Sequence, residues 1–136
     1  AADFGEAIIL RGYDRDPTVQ AGQPLTVTLY WEAASAINEP LIAFVHLWEP
    51  GAATAYAQHD SEPRDGWFPT PLWQPGDIVP DTHVLAVPAT LPPGDYHLWA
   101  GLYRTADGTR LPASEDEAPL PNALVPLGSV RVRAGG

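Results

Sequence analysis

Four histidines and 17 acidic residues are the groups in this 136-residue chain with the chemistry for proton transfer or metal binding. His46 and His97 fall in strand-like segments. His59 and His83 flank the long stretch "HDSEPRDGWFPTPLWQPGDIVPD", which runs from His59 to Asp81. No H-E-x-x-H or EF-hand spacing occurs. His59, Asp60, Asp81 and His83 bracket the loop and can converge, because both of its ends return to the fold. One reading is a calcium or zinc site. The other is that Asp60 and Asp81 accept hydrogen bonds from loop amides, Asp60 also from Thr70, so that Asp60, Thr70 and Asp81 anchor the loop. No ligand spacing that a cation demands is present, so neither a metal nor another cofactor is expected.

Carboxylates for glycoside hydrolysis are equally unspecific. Glu62 with Asp65, or Asp77 with Asp81, can stand at a hydrolase separation, but a chain this acidic offers many such pairs by chance. No serine sits in a nucleophile-elbow motif; "DGTR" and "LGSV" read as turns. The chain is therefore expected not to be an enzyme.

The elements that must position these residues read as strands. In "LTVTLYWEA", Leu25, Val27, Leu29 and Trp31 alternate with Thr26, Thr28, Tyr30 and Glu32, the pattern of a half-buried strand. Leu41–Glu49, Thr54–Asp60, Asp81–Pro88, Asp95–Arg104, Leu127–Arg133 and "EAIILRGY" complete a set of about seven, separated by Pro/Gly turns such as "LPPGDY" and "TADGTR". No amphipathic helix is evident, and the acidic "SEDEAPLPN" reads as a solvated loop. The pattern predicts one all-β domain over residues 1–136, an immunoglobulin-like antiparallel β-sandwich. Tyr96, just after the turn at the start of a strand, suits a tyrosine corner, and Trp31 suits the large central core position that a disulfide would share in an antibody domain. No cysteine is present.

Two strands look apolar on both faces. If Ala43, Val45 and Leu47 with Tyr96, Leu98, Ala100 and Leu102 face the core, then Phe44, His46, Trp48, His97, Trp99 and Tyr103 share the outer face. Such a face needs a cover or a partner. The His59–Asp81 loop is the nearest candidate cover, with Trp67, Phe68, Leu72 and Trp73 laid across it and Pro63, Pro69, Pro71 and Pro75 stiffening its path. A second reading makes Trp67, Phe68 and Trp73 an aromatic platform on which sugar rings stack.

The net charge of −10, with no lysine, repels phosphate backbones and anionic membrane surfaces, which excludes nucleic acid as a partner. No apolar run is long enough to span a membrane, and the start carries no basic leader. The lack of methionine makes an excised segment of a longer protein the expectation.

Taken in order, Gly12, Tyr13, Leu29, Trp31, Phe44, His46, Asp60, Pro63, Gly66, Pro69, Thr70, Trp73, Pro75, Gly76, Gly94, Tyr96, Gly101 and Tyr103 form a recurrent pattern. Its longest piece is D-x-x-P-x-x-G-x-x-P-T-x-x-W-x-P-G. Over residues 4–111 the chain resembles the soluble C-terminal β-sandwich domain of bacterial multi-span membrane glycosyltransferases that use lipid-linked sugar donors, of mannosyl- or aminoarabinosyl-transferase type. The resemblance implies an extracytoplasmic accessory domain of a membrane protein, without catalytic residues of its own. Its expected partners are carbohydrate or other domains of the parent, with the membrane reached only through the parent chain. The alternative is a purely structural or protein–protein interaction module.

Overall fold

The structure is a computed structural model that describes residues 1–135. Two sheets face each other. The first, in spatial order, is β10 (Ala118–Pro119), β9 (Ala113–Glu115), β1 (Ala2–Phe4), β2 (Ile8–Arg15), β4 (Pro24–Ala33) and β7 (Ile78–Ala86). The second is β3 (Thr18–Gln20), β11 (Val125–Arg133), β8 (Gly94–Arg104), β5 (Leu41–Leu47) and β6 (Ala57–Ser61). All pairings are antiparallel except β3 with β11. The chain leaves the first sheet at Pro17 and joins the second as β3, the strand switch of an immunoglobulin-type sandwich.

The seven longer strands match the seven expected from alternation. Leu25, Val27, Leu29, Trp31 and Ala33 are fully buried along β4, while Thr28 bonds Thr82 and Tyr30 bonds Asp14 on the outer side. Trp31 packs edge-on against Phe4, with ring centroids 5.5 Å apart, between the two layers. Four short strands, β1, β3, β9 and β10, were not expected. At two or three residues each they are too short to show a period. No helix among the described residues is long and apolar enough to cross a membrane.

The tyrosine corner is present: the Tyr96 hydroxyl donates to the Pro92 carbonyl at 2.7 Å. The two-faced strands also arrange as expected, with β5 beside β8 and Ala43, Val45, Leu47, Leu98, Ala100 and Leu102 inside. Phe44 lies on the outer face, yet it is only 1% exposed. Its ring rests directly over Gly101, its register partner on β8. A Cβ at Gly101 would stand 2.2 Å from the Phe44 ring, whereas one at Gly12 would meet nothing. Gly101→Ala is therefore expected to destabilise the domain by about 1–3 kcal/mol through overpacking, and Gly12→Ala to stay within about 0.5 kcal/mol; urea unfolding of both variants checks this.

Candidate functional site

The loop after β6 does not cover the outer aromatic face, contrary to expectation. β6 is the edge of one sheet and β7 the edge of the other. The chain joining them steps across the open side of the sandwich, where Thr70 and Trp73 hold it. It does so through two short 3-10 turns, Pro63–Gly66 and Thr70–Leu72.

Three points fix the loop. The buried Thr70 hydroxyl donates to the Glu39 carbonyl at 2.7 Å and accepts the Leu41 amide at 3.1 Å. Trp73 is 3% exposed, joins the core, and donates its indole N–H to the Phe68 carbonyl at 2.8 Å. The Asp81 carboxylate accepts the Arg64 amide at 2.7 Å, the Trp31 indole at 3.2 Å and His83 Nε2 at 2.7 Å. Burial alone would raise the Asp81 carboxyl, but the hydrogen bond and charge of His83, with the Arg64 amide and the Trp31 indole, hold it below its ordinary range. These contacts keep Arg64 and Asp65 at φ 57° and 54°, a conformation that costs roughly 1–2 kcal/mol per non-glycine residue.

The three aromatics expected to form a sugar platform are thus separated. Trp73 is buried and Phe68 half-buried against it, their centroids 6.3 Å apart, so neither presents an open ring. Trp67 alone stays out, at 86% exposure. Asp60 also differs from expectation. It accepts neither loop amides nor Thr70. Its carboxylate meets His46 Nε2 at 3.1 Å, Gln58 Nε2 at 3.3 Å and the Tyr103 hydroxyl at 3.2 Å. Strand parity explains this, because Asp60 must point opposite to His59 and Ser61. Burial pushes the Asp60 carboxyl up, and His46, Tyr103 and the charge of His59 more than reverse it. Burial and the Asp60 charge in turn push the Tyr103 phenol up.

Of the residues bracketing the loop, His59, Asp81 and His83 converge and Asp60 does not. His59 Nδ1 and His83 Nδ1 are 2.7 Å apart, joining the two sheet edges, and His59 Nε2 is 3.4 Å from Asp65. Among the described residues no group of three or more such side chains is arranged to hold a metal ion.

What covers the outer face of the second sheet is Arg110 together with the segment 120–124. The Arg110 guanidinium lies 5.0 Å above the Phe44 ring and donates to the Asn122 carbonyl at 3.0 Å, and Leu124 is buried. The acidic stretch expected to be a solvated loop instead carries β9 and β10, with β9 paired between β10 and β1 in the first sheet. The apolar run "LPNALVP" carried the signal that it lies against something.

The cover is incomplete. Beside it runs a cleft of about 390 Å³ lined by His46, Trp48, Gln58, Arg110, Asn122 and Leu124, with Ala52–Ala55 on its outer lip. It adjoins a second, more apolar cleft of about 310 Å³ that shares Trp48 and adds Trp99, Pro50 and Pro121. Both indoles are held from within: Trp48 donates to the Ala52 carbonyl at 3.0 Å and Trp99 to the Trp48 carbonyl at 2.7 Å. They meet edge to face, with centroids 6.0 Å apart.

Fold and cleft together define an immunoglobulin-type β-sandwich domain with an aromatic-floored groove on one sheet. No protein family and no curated protein sequence matches the chain. Solved structures do. The C-terminal domain of Wzt is similar over 100% of this chain and 79% of its own, with TM-score 0.60 and 12% identity. The CARDB domain of a Pyrococcus furiosus protein in complex with di-metal ions is similar over 96% and 97%, with TM-score 0.52 and 14% identity. A Niemann-Pick type C2 protein from Japanese carpenter ant covers 98% and 96%, with TM-score 0.53 and 8% identity. At these identities the likeness is one of fold.

Two expectations follow. Trp73→Ala should cost about 3–5 kcal/mol as a large core truncation, whereas Trp67→Ala should stay within about 0.5 kcal/mol; thermal unfolding distinguishes them. Because Asp60 and Asp81 are depressed in the folded state, their contribution is present above the ordinary carboxyl range and lost as pH falls through the folded-state values. Acid titration of the unfolding free energy should show this loss, and Asp81→Asn should flatten it.

Proposed function

We propose that this chain is a non-catalytic accessory domain of an extracytoplasmic glycosyltransferase-like membrane protein, and that it recognises carbohydrate. The observation that carries this reading is the groove in which Trp48 and Trp99 stand half-buried with their N–H groups already engaged inside the protein. An indole whose donor is spent offers a ligand only its rigid apolar surface, which suits the C–H face of a sugar ring. Gln58, Arg110 and Asn122 along the neighbouring cleft bring amide and guanidinium groups of the kind that bond hydroxyl pairs. A volume of about 390 Å³ is in the range of small-ligand sites. The net charge of −10 favours a neutral saccharide over an anionic one.

The non-catalytic part of the proposal is supported by where the carboxylates are. None of the residues lining the cleft is an Asp or Glu, so no acid–base pair flanks a glycosidic bond there. Asp60 and Asp81, the carboxylates drawn furthest into the structure, are engaged by internal donors. Membership in a glycosyltransferase-like parent, and a place outside the cytoplasm, rest on the sequence pattern from Gly12 to Tyr103.

A second reading has its own observation. Trp67 projects from a loop braced at Thr70, Trp73 and Asp81, and a rigid exposed indole is a ready anchor for another domain of the parent. The two readings separate in one experiment. Neutral oligosaccharides titrated against the domain should shift tryptophan emission. Gln58→Ala and Arg110→Ala should each weaken binding about 10-fold, roughly the 1.4 kcal/mol of one good polar contact, with Trp67→Ala unchanged. No response across a broad glycan panel removes the carbohydrate reading, and turnover of lipid-linked sugars by the isolated domain removes the non-catalytic one.

A further inference from the structure

The groove on the second sheet consists of two compartments of different chemistry that meet at one wall. His46, Gln58 and Arg110 line the first compartment only. Trp99, Leu120 and three prolines, Pro50, Pro121 and Pro126, line the second only. Trp48, Asn122 and Leu124 belong to both, so one ligand can run along the Trp48 indole from one compartment into the other.

Hydroxyl groups find little to bond in the second compartment. The Trp48 and Trp99 indole N–H groups are taken by the Ala52 and Trp48 carbonyls. The Leu120 and Leu124 amides are taken by the Ala113 and Pro121 carbonyls, and a proline has no N–H to give. Among the described residues lining this compartment, Asn122 is the only polar side chain besides the indoles, and it stands at the shared wall. A saccharide that filled both compartments would leave the hydroxyls on that side stripped of water and unbonded, which opposes binding. An apolar group gains by leaving water for the same walls. The prolines and the internally bonded indoles hold the compartment in shape, so little ordering is needed when it fills.

We infer that the groove takes a neutral glycoside with an apolar aglycone, its sugar in the polar compartment against Trp48 and its aglycone in the Trp99 compartment. The inference rests on carbohydrate recognition by the same groove, and adds the subsite that selects among saccharides. The joint between the two parts of the ligand is uncharged. Arg110 is the one Lys or Arg side chain among the described residues lining the groove. Its guanidinium already lies over the Phe44 ring and bonds the Asn122 carbonyl, and His46 Nε2 is met by the Asp60 carboxylate. A phosphate bridge would meet one partly engaged guanidinium and the repulsion of a chain with net charge −10.

The test titrates the whole chain with methyl, butyl, hexyl and phenyl glycosides of D-glucose, D-galactose and D-mannose, below micelle-forming concentrations, and follows tryptophan emission. For at least one sugar, affinity is expected to rise about 4-fold per methylene while the compartment fills, the equivalent of about 0.8 kcal/mol for each buried CH2. A larger gain from the alkyl chains marks a lipid-like aglycone and a larger gain from phenyl an aromatic one; both carry the inference. Pro50→Asp, at an exposed turn on the wall of the apolar compartment, should bring the hexyl-to-methyl affinity ratio toward one, and Leu120→Asn should do the same. Gln58→Ala should weaken both ligands and keep their ratio. Methyl and hexyl glycosides that bind equally would overturn the inference and leave carbohydrate recognition standing. Hexanol that binds as tightly as the hexyl glycosides would show that the sugar contributes nothing, and would remove both readings, as would silence from every glycoside.

Discussion

One buried carboxylate ties the molecule together. Asp81 faces inward on an edge strand, where the alternation of β7 would otherwise place an apolar side chain. A charge there is tolerable only when fully bonded. Its donors come from three separate parts of the chain: the indole of the central core residue Trp31, the backbone of the long loop at Arg64, and the imidazole of His83. Core, loop and the joint between the sheets are consequently coupled through a single pair of oxygen atoms. The loop conformation at Arg64 and Asp65, unfavourable in isolation, persists because this charge requires the amide that the conformation presents.

The second sheet solves a different difficulty. Its outer face is too apolar to be left to water, and the protein covers part of it by three means at once. Gly101 lets the Phe44 ring sink onto the strand beside it, the Arg110 guanidinium closes over that ring, and Leu124 packs from the C-terminal segment. Near Trp48 and Trp99 the cover stops short, which produces the groove. The open part of the face is thus the part whose indoles are best immobilised.

Much of the architecture could be read from alternation, which β4 and β7 keep along their whole length, while β2 and β11 are each interrupted by a bulge. The tyrosine corner at Tyr96 and the inward Trp31 followed from the same pattern. What could not be read was which of two similar aromatics lies inside. Trp67 and Trp73 occupy comparable Pro/Gly-rich surroundings, and the bonds of Thr70 to Glu39 and Leu41, at the start of β5, fasten the chain just ahead of the ring that joins the core. Asp60 departs from expectation for a simpler reason: one residue of strand offset sends it to the opposite face from His59. That parity was available in the sequence. The cover was harder, since connecting β6 to β7 across the open side is a property of strand order, and strand order is set by contacts far apart in the chain. Of the recurrent residues between Asp60 and Gly76, Thr70 and Trp73 brace the loop, while Trp67, which lies outside the pattern, is the one the loop displays.

The way the sheets end has a bearing on crowding. On one side each sheet finishes in a fragment of two or three residues, β10 with its Pro119 and the short parallel β3. On the other, β6 and β7 are held to each other by the histidines and bridged by the loop. The edges at β10 and β3 therefore offer only short rows of backbone groups, while β7 keeps a nine-residue edge paired on one side alone. Strand recruitment between neighbouring copies is thereby directed to the β7 edge, where the His59–Asp81 loop stands beside the strand.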